Sequence, residues 1–300
     1  MKMSATTQSG GPVTAADAKS EATPALPKRR AGVVLKARRD WPPLAIHSAQ
    51  LVILAAILAF WEFGVRAGFI NAFFWSSPSD IARVARIFVT EGTALQDTWF
   101  TFRATVIGFV AGSLLGAAIG LSLWWSKNAA RIVEPFIVVF NAIPKMALGP
   151  LIILIFGIGI SSKIALAIAL TFVITALAAY SGVKSVDEDL VKLTYSLGGR
   201  RWDVFRKIIL PSSMPWIISS LRINIGLALA GVLVGEFISS QFGLGKVIMY
   251  AGATYDMALI WVGITILSVL SMALYGVVVW MERQLLKGFH SAETSRDSTR

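Results

Sequence analysis

The chain has 300 residues, 55% of them hydrophobic and only 15% charged, with a mean hydropathy of +0.68 and a net charge of +11. A soluble domain of this length carries more surface charge, and here the apolar residues come in runs near the roughly 20 residues that cross a bilayer, so the chain reads as an integral membrane protein. The absence of cysteine excludes disulfides, thiolate chemistry and Cys-ligated metals, and His47 and His290 lie near segment ends without an acidic or histidine cluster beside them.

Residues 1–40 are rich in Ala, Ser, Thr, Pro and Lys without apolar periodicity, and read as a disordered cytoplasmic tail. A cleaved signal peptide would begin its apolar core much nearer the start, so the first apolar run is expected to be an uncleaved span. The transmembrane region is then expected to extend over residues 41–290, with a short cytoplasmic tail at 291–300. Its predicted spans are Leu44–Val65, Thr98–Trp125, Ile132–Phe156, Ile164–Val183, Pro215–Ile238 and Leu259–Met281. All are expected to be helices, because a lipid-exposed backbone must satisfy its own hydrogen bonds. The fold class is thus all-α, with about six transmembrane helices.

Basic residues set the expected orientation. Lys28, Arg29, Arg30, Lys36, Arg38 and Arg39 precede the first span; Lys127 and Arg131 follow the second. Lys184, Lys192, Arg200, Arg201, Arg206 and Lys207 lie between the fourth and fifth, and Arg283 and Lys287 follow the sixth. The alternate loops are weaker, since Arg66, Arg83 and Arg86 are offset by Asp80, Glu91 and Asp97. Both termini are therefore expected in the cytoplasm. The same logic assigns the positive charge to a lipid bilayer and argues against a nucleic-acid partner.

The second span carries Gly108, Gly112, Gly116 and Gly120 at four-residue spacing, a smooth stripe that lets another backbone approach. It predicts a helix-packing seam, either between subunits or within the chain. The third span contains NAIPKMALGP, where Pro144 and Pro150 remove backbone donors and Gly149 weakens the helix between them. Lys145 lies about fourteen residues past Arg131, roughly 21 Å along a helix, and an ammonium at that depth usually faces a pathway or a partner. Asn141, Pro144 and Lys145, with Asn224 and Glu236 in the fifth span, are the candidate pathway residues. Glu62 and Glu134 sit near span ends and read as solvated.

Between spans four and five lies YSLGGRRWDVFRKIILP, Tyr195–Pro211. Val186, Leu190, Leu193 and Leu197 predict a short amphipathic helix ending at Gly198 and Gly199. Trp202, Phe205, Ile208 and Ile209 predict a second apolar face, with Arg201, Arg206 and Lys207 opposite and Pro211 as its stop. Two short helices around a glycine turn could suggest a DNA reader, but both ends are tethered to membrane spans and no dimer module accompanies them.

From Gly198 the spacing is nine residues, Ile208, one residue, Leu210 and Pro211. This resembles the latter half of the EAA-loop signature, E-A-A-x3-G-x9-I-x-L-P, of permease subunits in binding-protein-dependent ATP-driven importers. The likeness extends from about Pro78 to Phe289 and includes the glycine-rich second span, PKMALGPLIILIFGIG and FGLGKVI. Among such permeases the chain is most similar to the nitrate/sulfonate/taurine group.

The resemblance implies a type I ABC importer permease fold. Its loop would form a coupling helix seated in a groove of an ATP-binding subunit, with Asp189, Lys192, Leu193, Thr194, Leu197, Gly198, Gly199, Trp202, Ile208, Leu210 and Pro211 as the docking positions. It further implies a homodimer, two ATP-binding subunits and an extracytoplasmic solute-binding protein. This chain binds no cofactor on that reading, and ATP and Mg belong to the partner ATPase. GLGKV at Gly243–Val247 indeed lacks the first glycine and the Ser/Thr of a P-loop. The chain departs from the signature where Lys192, Leu193 and Thr194 replace Glu-Ala-Ala, which alters the expected match to the ATPase groove.

The expected activity is non-enzymatic solute uptake, with Lys145 suiting an anion such as nitrate or a sulfonate. An ion-gradient-driven secondary transporter is the alternative, but it predicts paired broken helices and only one segment is clearly broken. An intramembrane enzyme would need convergent catalytic or metal-ligating groups at depth, and the sequence offers none.

Overall fold

The computed structural model describes residues 42–297, with side chains described up to Leu286 except at position 43. The tail expected at residues 1–40 and the side chains of Lys287 and His290 lie outside that description. The chain divides between Leu51 and Val52 into two compact units. The described part of the first, residues 42–51, is the beginning of helix α1 (Pro43–Arg66). All the packing below belongs to the second.

Among the described residues the chain is helical throughout, without strands. After α1 come two short elements that the sequence reading did not name, α2 (Ala72–Trp75) and α3 (Pro78–Thr90). Local chemistry fixes the start of α3. Ser77 is its N-cap, its hydroxyl accepting from the Asp80 N–H at 3.2 Å, and Pro78 occupies a first-turn position where a missing N–H costs nothing. Glu62 of α1 accepts from both the Ser79 N–H (3.0 Å) and its hydroxyl (2.8 Å), so this carboxylate ties α1 to α3.

Helix α4 (Ala94–Ser122) ends in a 3₁₀ turn at Leu123–Trp125 and is followed by α5 (Lys127–Ala142), capped by Ser126. The third predicted span breaks where its prolines require it. Ile143 is extended, a 3₁₀ turn occupies Lys145–Leu148, and α6 (Gly149–Phe156) leaves at 83° to α5. Then follow α7 (Ile160–Lys184), α8 (Glu188–Ser196), α9 (Arg201–Val204), α10 (Leu210–Ile238), α11 (Leu244–Ala253) and α12 (Met257–Asp297). Helix α12 thus continues well past the predicted end at Met281 and into the segment read as a tail.

One local expectation is overturned. Pro211 does not stop the helix that begins at Arg201. Residues Phe205–Ile209 form a π-turn, with the Leu210 N–H bonding back to the Phe205 carbonyl, and α10 runs on through Pro211 and Pro215. The widened turn absorbs the offset that proline's missing N–H and bulky ring would otherwise impose on a regular helix. The fifth apolar stretch therefore spans Arg201–Ile238 without a break.

The glycine stripe of α4 packs inside the chain, against α7. A Cβ at Gly116 would sit 2.7 Å from the Thr175 Cβ, and one at Gly120 would sit 2.6 Å from the Ala179 Cβ. Gly108 faces Ala167 and Gly112 faces Thr171, so the two helices run parallel, in register, at close backbone approach. Gly231 of α10 also lies against Ala167, and Gly182 of α7 against Ser213, which makes α10 antiparallel to α7. Ala104, Ala167, Ala228 and Val232 fill the layer where the three helices meet. In this close seam Thr171 and Thr175 bond carbonyls of their own helix (2.8 and 3.2 Å), whereas the buried hydroxyls of Ser113 and Ser213 meet no partner among the described residues. Because α4 and α7 run parallel, the chain between them must return across the same thickness. The bent α5–α6 pair supplies that return, and counted as one span it brings the helices long and apolar enough to cross a membrane from five to six among the described residues.

Candidate functional site

At one end of the bundle the loop between α7 and α10 forms a compact platform. Asp187 caps α8 through the Asp189 N–H (2.8 Å), and Asp189 in turn pairs with Lys192 (2.8 Å). Helix α8 closes at Gly198, whose φ of +80° is a conformation that a Cβ resists. The Gly199 N–H bonds the Thr194 carbonyl (2.9 Å), and a Cβ on Gly199 would lie 2.8 Å from that oxygen. Both glycines of the predicted turn are therefore required by geometry. Asp203 accepts from the Arg200 N–H (3.0 Å) to start α9.

The platform has two faces. Leu190, Leu193 (55% exposed), Leu197 (79%) and Trp202 (59%) leave most of their apolar surface uncovered. Lys192 and Leu193, in place of the signature's Glu and Ala, lie on the exposed side, whereas Thr194 supports the turn. The inner face is clamped to the end of α4. Trp125 lies 4.4 Å from Phe205 and 5.7 Å from Trp202, centroid to centroid, and Trp124 lies 5.7 Å from Phe205. Arg201 donates to the Trp125 carbonyl and places its guanidinium 5.4 Å from the Trp124 ring centroid. Beneath, Val204 and Ile209 are fully buried, while Ile208, Leu210 and Pro211 are half-buried at the root of α10.

The candidate pathway residues separate into three places. Asn141, Pro144 and Lys145 meet at the break, where the Lys145 ammonium donates to the Asn141 carbonyl (3.1 Å) and faces its side-chain oxygen (3.5 Å). Asn224 is buried in the α7–α10 seam, donating to Thr175 Oγ1 at 2.6 Å. Its Oδ1 meets no partner among the described residues. Glu236 is 1% exposed and belongs to a knot at the opposite end of the bundle from the platform. Neither Asn224 nor Glu236 bonds Lys145; each is enclosed by neighbouring helices, Glu236 with both oxygens engaged and Asn224 through its amide N–H alone.

That knot contains residues the sequence reading missed. The first turn of α11 presents three backbone N–H groups, and each finds an acceptor: Gly243 on Asp97 (2.8 Å), Leu244 on Thr101 Oγ1 (3.0 Å) and Gly245 on Glu236 (2.7 Å). Thr101 also donates to Glu236 (2.8 Å). Two buried carboxylates thus sit at a helix N-terminus, where orphan donors and the helix dipole both favour negative charge. Gly243, at φ +120°, leaves room for the Glu236 carboxylate. Nearby, buried Lys163 donates to the Ile158 carbonyl (2.6 Å) and to that of Ser239, joining α7 to the end of α10. Asp97 and Lys163 fall at span ends, where a linear reading assigns them to solvent. Arg222 and buried Glu282, paired at 2.6 Å between α10 and α12, escaped notice for the same reason of distance in sequence. Among the described residues no group of three or more His, Cys, Asp or Glu side chains could hold a metal ion.

A bundle of apolar, membrane-length helices with a glycine-closed platform at one end is that of a multi-pass membrane protein. The chain belongs to the family of binding-protein-dependent transport system inner membrane components, which it matches over residues 105–287. It is 30% identical over 250 residues to the riboflavin transport system permease protein RibX of Chloroflexus aurantiacus, covering 83% of this chain and 92% of that protein. It is 28% identical over 279 residues to the putative aliphatic sulfonates transport permease protein SsuC of Bacillus subtilis, covering 92% and 99%. The fold is similar to a chain of the MetNI methionine ABC transporter in inward-facing conformations, with a TM-score of 0.56 and 18% identity over 63% of this chain and 94% of that one.

Proposed function

We propose that the chain lines the path of a small anionic solute and is driven by two separate ATP-binding subunits that dock on the 184–211 platform. The observation that carries this reading is the platform's division of labour. One face leaves Leu193, Leu197 and Trp202 uncovered, and the other grips the end of α4 through tilted and edge-on rings. Exposed apolar side chains beside a rigid glycine turn are what a partner groove can cover, and flanking lysines and arginines steer the approach. Motion imposed on the platform would reach α7 and α10 through the chain and α4 through the clamp.

In this reading the platform and both termini face the cytoplasm, two copies of the chain enclose the path, and an extracytoplasmic binding protein delivers the solute. ATP and Mg act on the partner subunits. Lys145, at the break of the third span, supports an anion as cargo, and so does a relative named for aliphatic sulfonates. The test is a cysteine at Ser196 of this cysteine-free chain, crosslinked to the ATPase in the assembled transporter. The yield should change when ATP is added. An absence of ATP-sensitive crosslinks from Ser196 and several neighbouring positions refutes the docking role, and uptake driven by an ion gradient without any ATPase refutes the importer assignment.

A further inference from the structure

Beside the platform, between α5, α7, α8 and α9, lies a cavity of about 870 Å³. This is within the size range of small-molecule sites. Its wall is unusually basic. Lys127 and Arg131 come from α5, Lys184 from α7, Lys192 from α8 and Arg201 from α9, five cations against the two carboxylates Glu134 and Glu188. Glu134 is already satisfied, receiving Lys184 at 2.6 Å and the Tyr180 hydroxyl at 3.1 Å. Arg201 is held by the Trp125 carbonyl, and Lys192 by Asp189. Lys127 and Arg131 stand one helical turn apart and meet no carboxylate among the described residues. The Tyr195 side chain also lines the space, above an apolar floor that includes Leu123 and Ile209.

A solvated basic surface would spread its charge outward. Here cations from four separate helices converge on one concave space, and a low-dielectric floor strengthens their field within it. Two unpaired cations on one helix turn, facing a hydroxyl and further positive charge, match a group with several oxygen acceptors. We propose that this cavity binds a phosphate- or sulfonate-type oxyanion, with Lys127 and Arg131 as its principal contacts. The source is either a free small anion or the headgroup phosphate of an anionic lipid, whose charge no choline cancels. The site is separate from Lys145 and does not depend on the transport path proposed above.

The test uses the full chain in phosphatidylcholine nanodiscs, at constant ionic strength with chloride as the reference anion. Thermal unfolding is followed while inorganic phosphate or ethanesulfonate is titrated, and again with phosphatidylglycerol replacing part of the lipid. The midpoint should rise by about 3 °C at saturating oxyanion, because a bound ligand stabilises the folded state by mass action. The Lys127→Gln/Arg131→Gln double variant should lose that rise. Both side chains are exposed and unpaired, so its own midpoint should match the parent; Lys127→Gln alone serves as a milder second variant, with part of the loss. A rise with free phosphate or ethanesulfonate that the variants lose supports a small-anion site, and a rise only with phosphatidylglycerol, likewise lost, supports a lipid site. Equal responses of parent and variants to every probe, or no response beyond chloride, overturn the proposal. A working Ser196 crosslink would be untouched by that failure.

Discussion

Arg201 of the platform donates a hydrogen bond to the main-chain carbonyl of Trp125, 76 residues earlier in the sequence, and so joins the helix that leads into α10 to the end of α4. Around it Trp124, Trp125, Trp202 and Phe205 pack as one aromatic cluster. Ring pairs of this kind contribute about 0.5–1.5 kcal/mol each beyond simple burial. The chain therefore has two routes from platform to membrane, one covalent and one through contact. Trp125→Ala should leave the covalent route and weaken the other, taking away the ring that meets Trp202 and Phe205 while keeping the carbonyl that Arg201 bonds. In proteoliposomes with the ATPase subunits, ATP hydrolysis should persist while uptake per ATP falls about tenfold, and Trp99→Ala, on a ring outside the cluster, serves as the control. An unchanged ratio of uptake to hydrolysis would show that α4 receives no motion through the clamp.

The α4–α7 seam predicts a steep steric response. Gly116→Val places a branched side chain where the Phe172 carbonyl and Thr175 already lie, so the helices must separate. Overpacking of this kind costs about 1–3 kcal/mol, more where backbone must move. Gly226 of α10 has nothing within 4 Å of its would-be Cβ, so Gly226→Ala should be silent or slightly stabilising. Thermal unfolding in detergent compares the two.

The knot at the other end predicts a polar response. Glu236→Ala leaves the Gly245 N–H and the Thr101 hydroxyl without their acceptor, and removes the carboxylate that fills the space at Gly243. Each stranded buried donor costs about 1–3 kcal/mol. The folded yield should fall sharply, and Glu236→Gln should recover part of it, since its carbonyl can still accept from one donor. Asp97→Asn combined with Glu236→Gln should be less than additive, because both side chains serve one helix start. Full additivity in a double-mutant cycle would show that they act separately.

Lys145 tests the cargo. Lys145→Ala should reduce uptake of an anionic solute several-fold without reducing assembly with the ATPase, measured by co-purification, since among the described residues its ammonium bonds Asn141 alone. Lys145→Arg should retain more uptake than Lys145→Gln if charge is what matters. Normal transport by the alanine variant would remove Lys145 from the mechanism.

The spans were legible because each is a long apolar run, and the break in the third was legible because proline chemistry is local. The glycine turn at Gly198 was readable for the same reason. What the sequence could not reveal was pairing. The stripe from Gly108 to Gly120 allowed either a partner subunit or a neighbouring helix, and only the register against Ala167–Ala179 selects the neighbour. Asp97 and Lys163 look like solvated end charges until α11 and Ser239 are brought to them. Pro211 reads as a terminator until the π-turn before it is seen to take up the strain.

The right-angled third crossing carries an organisational consequence. Its lower half answers to Glu134, which Lys184 and Tyr180 hold against α7, while Gly149 in its upper half abuts Ile238 of α10. Both pieces also lean on α7, so the joint at Lys145 lets a single crossing turn a corner around the α7–α10 pair where one rigid rod could follow only α7.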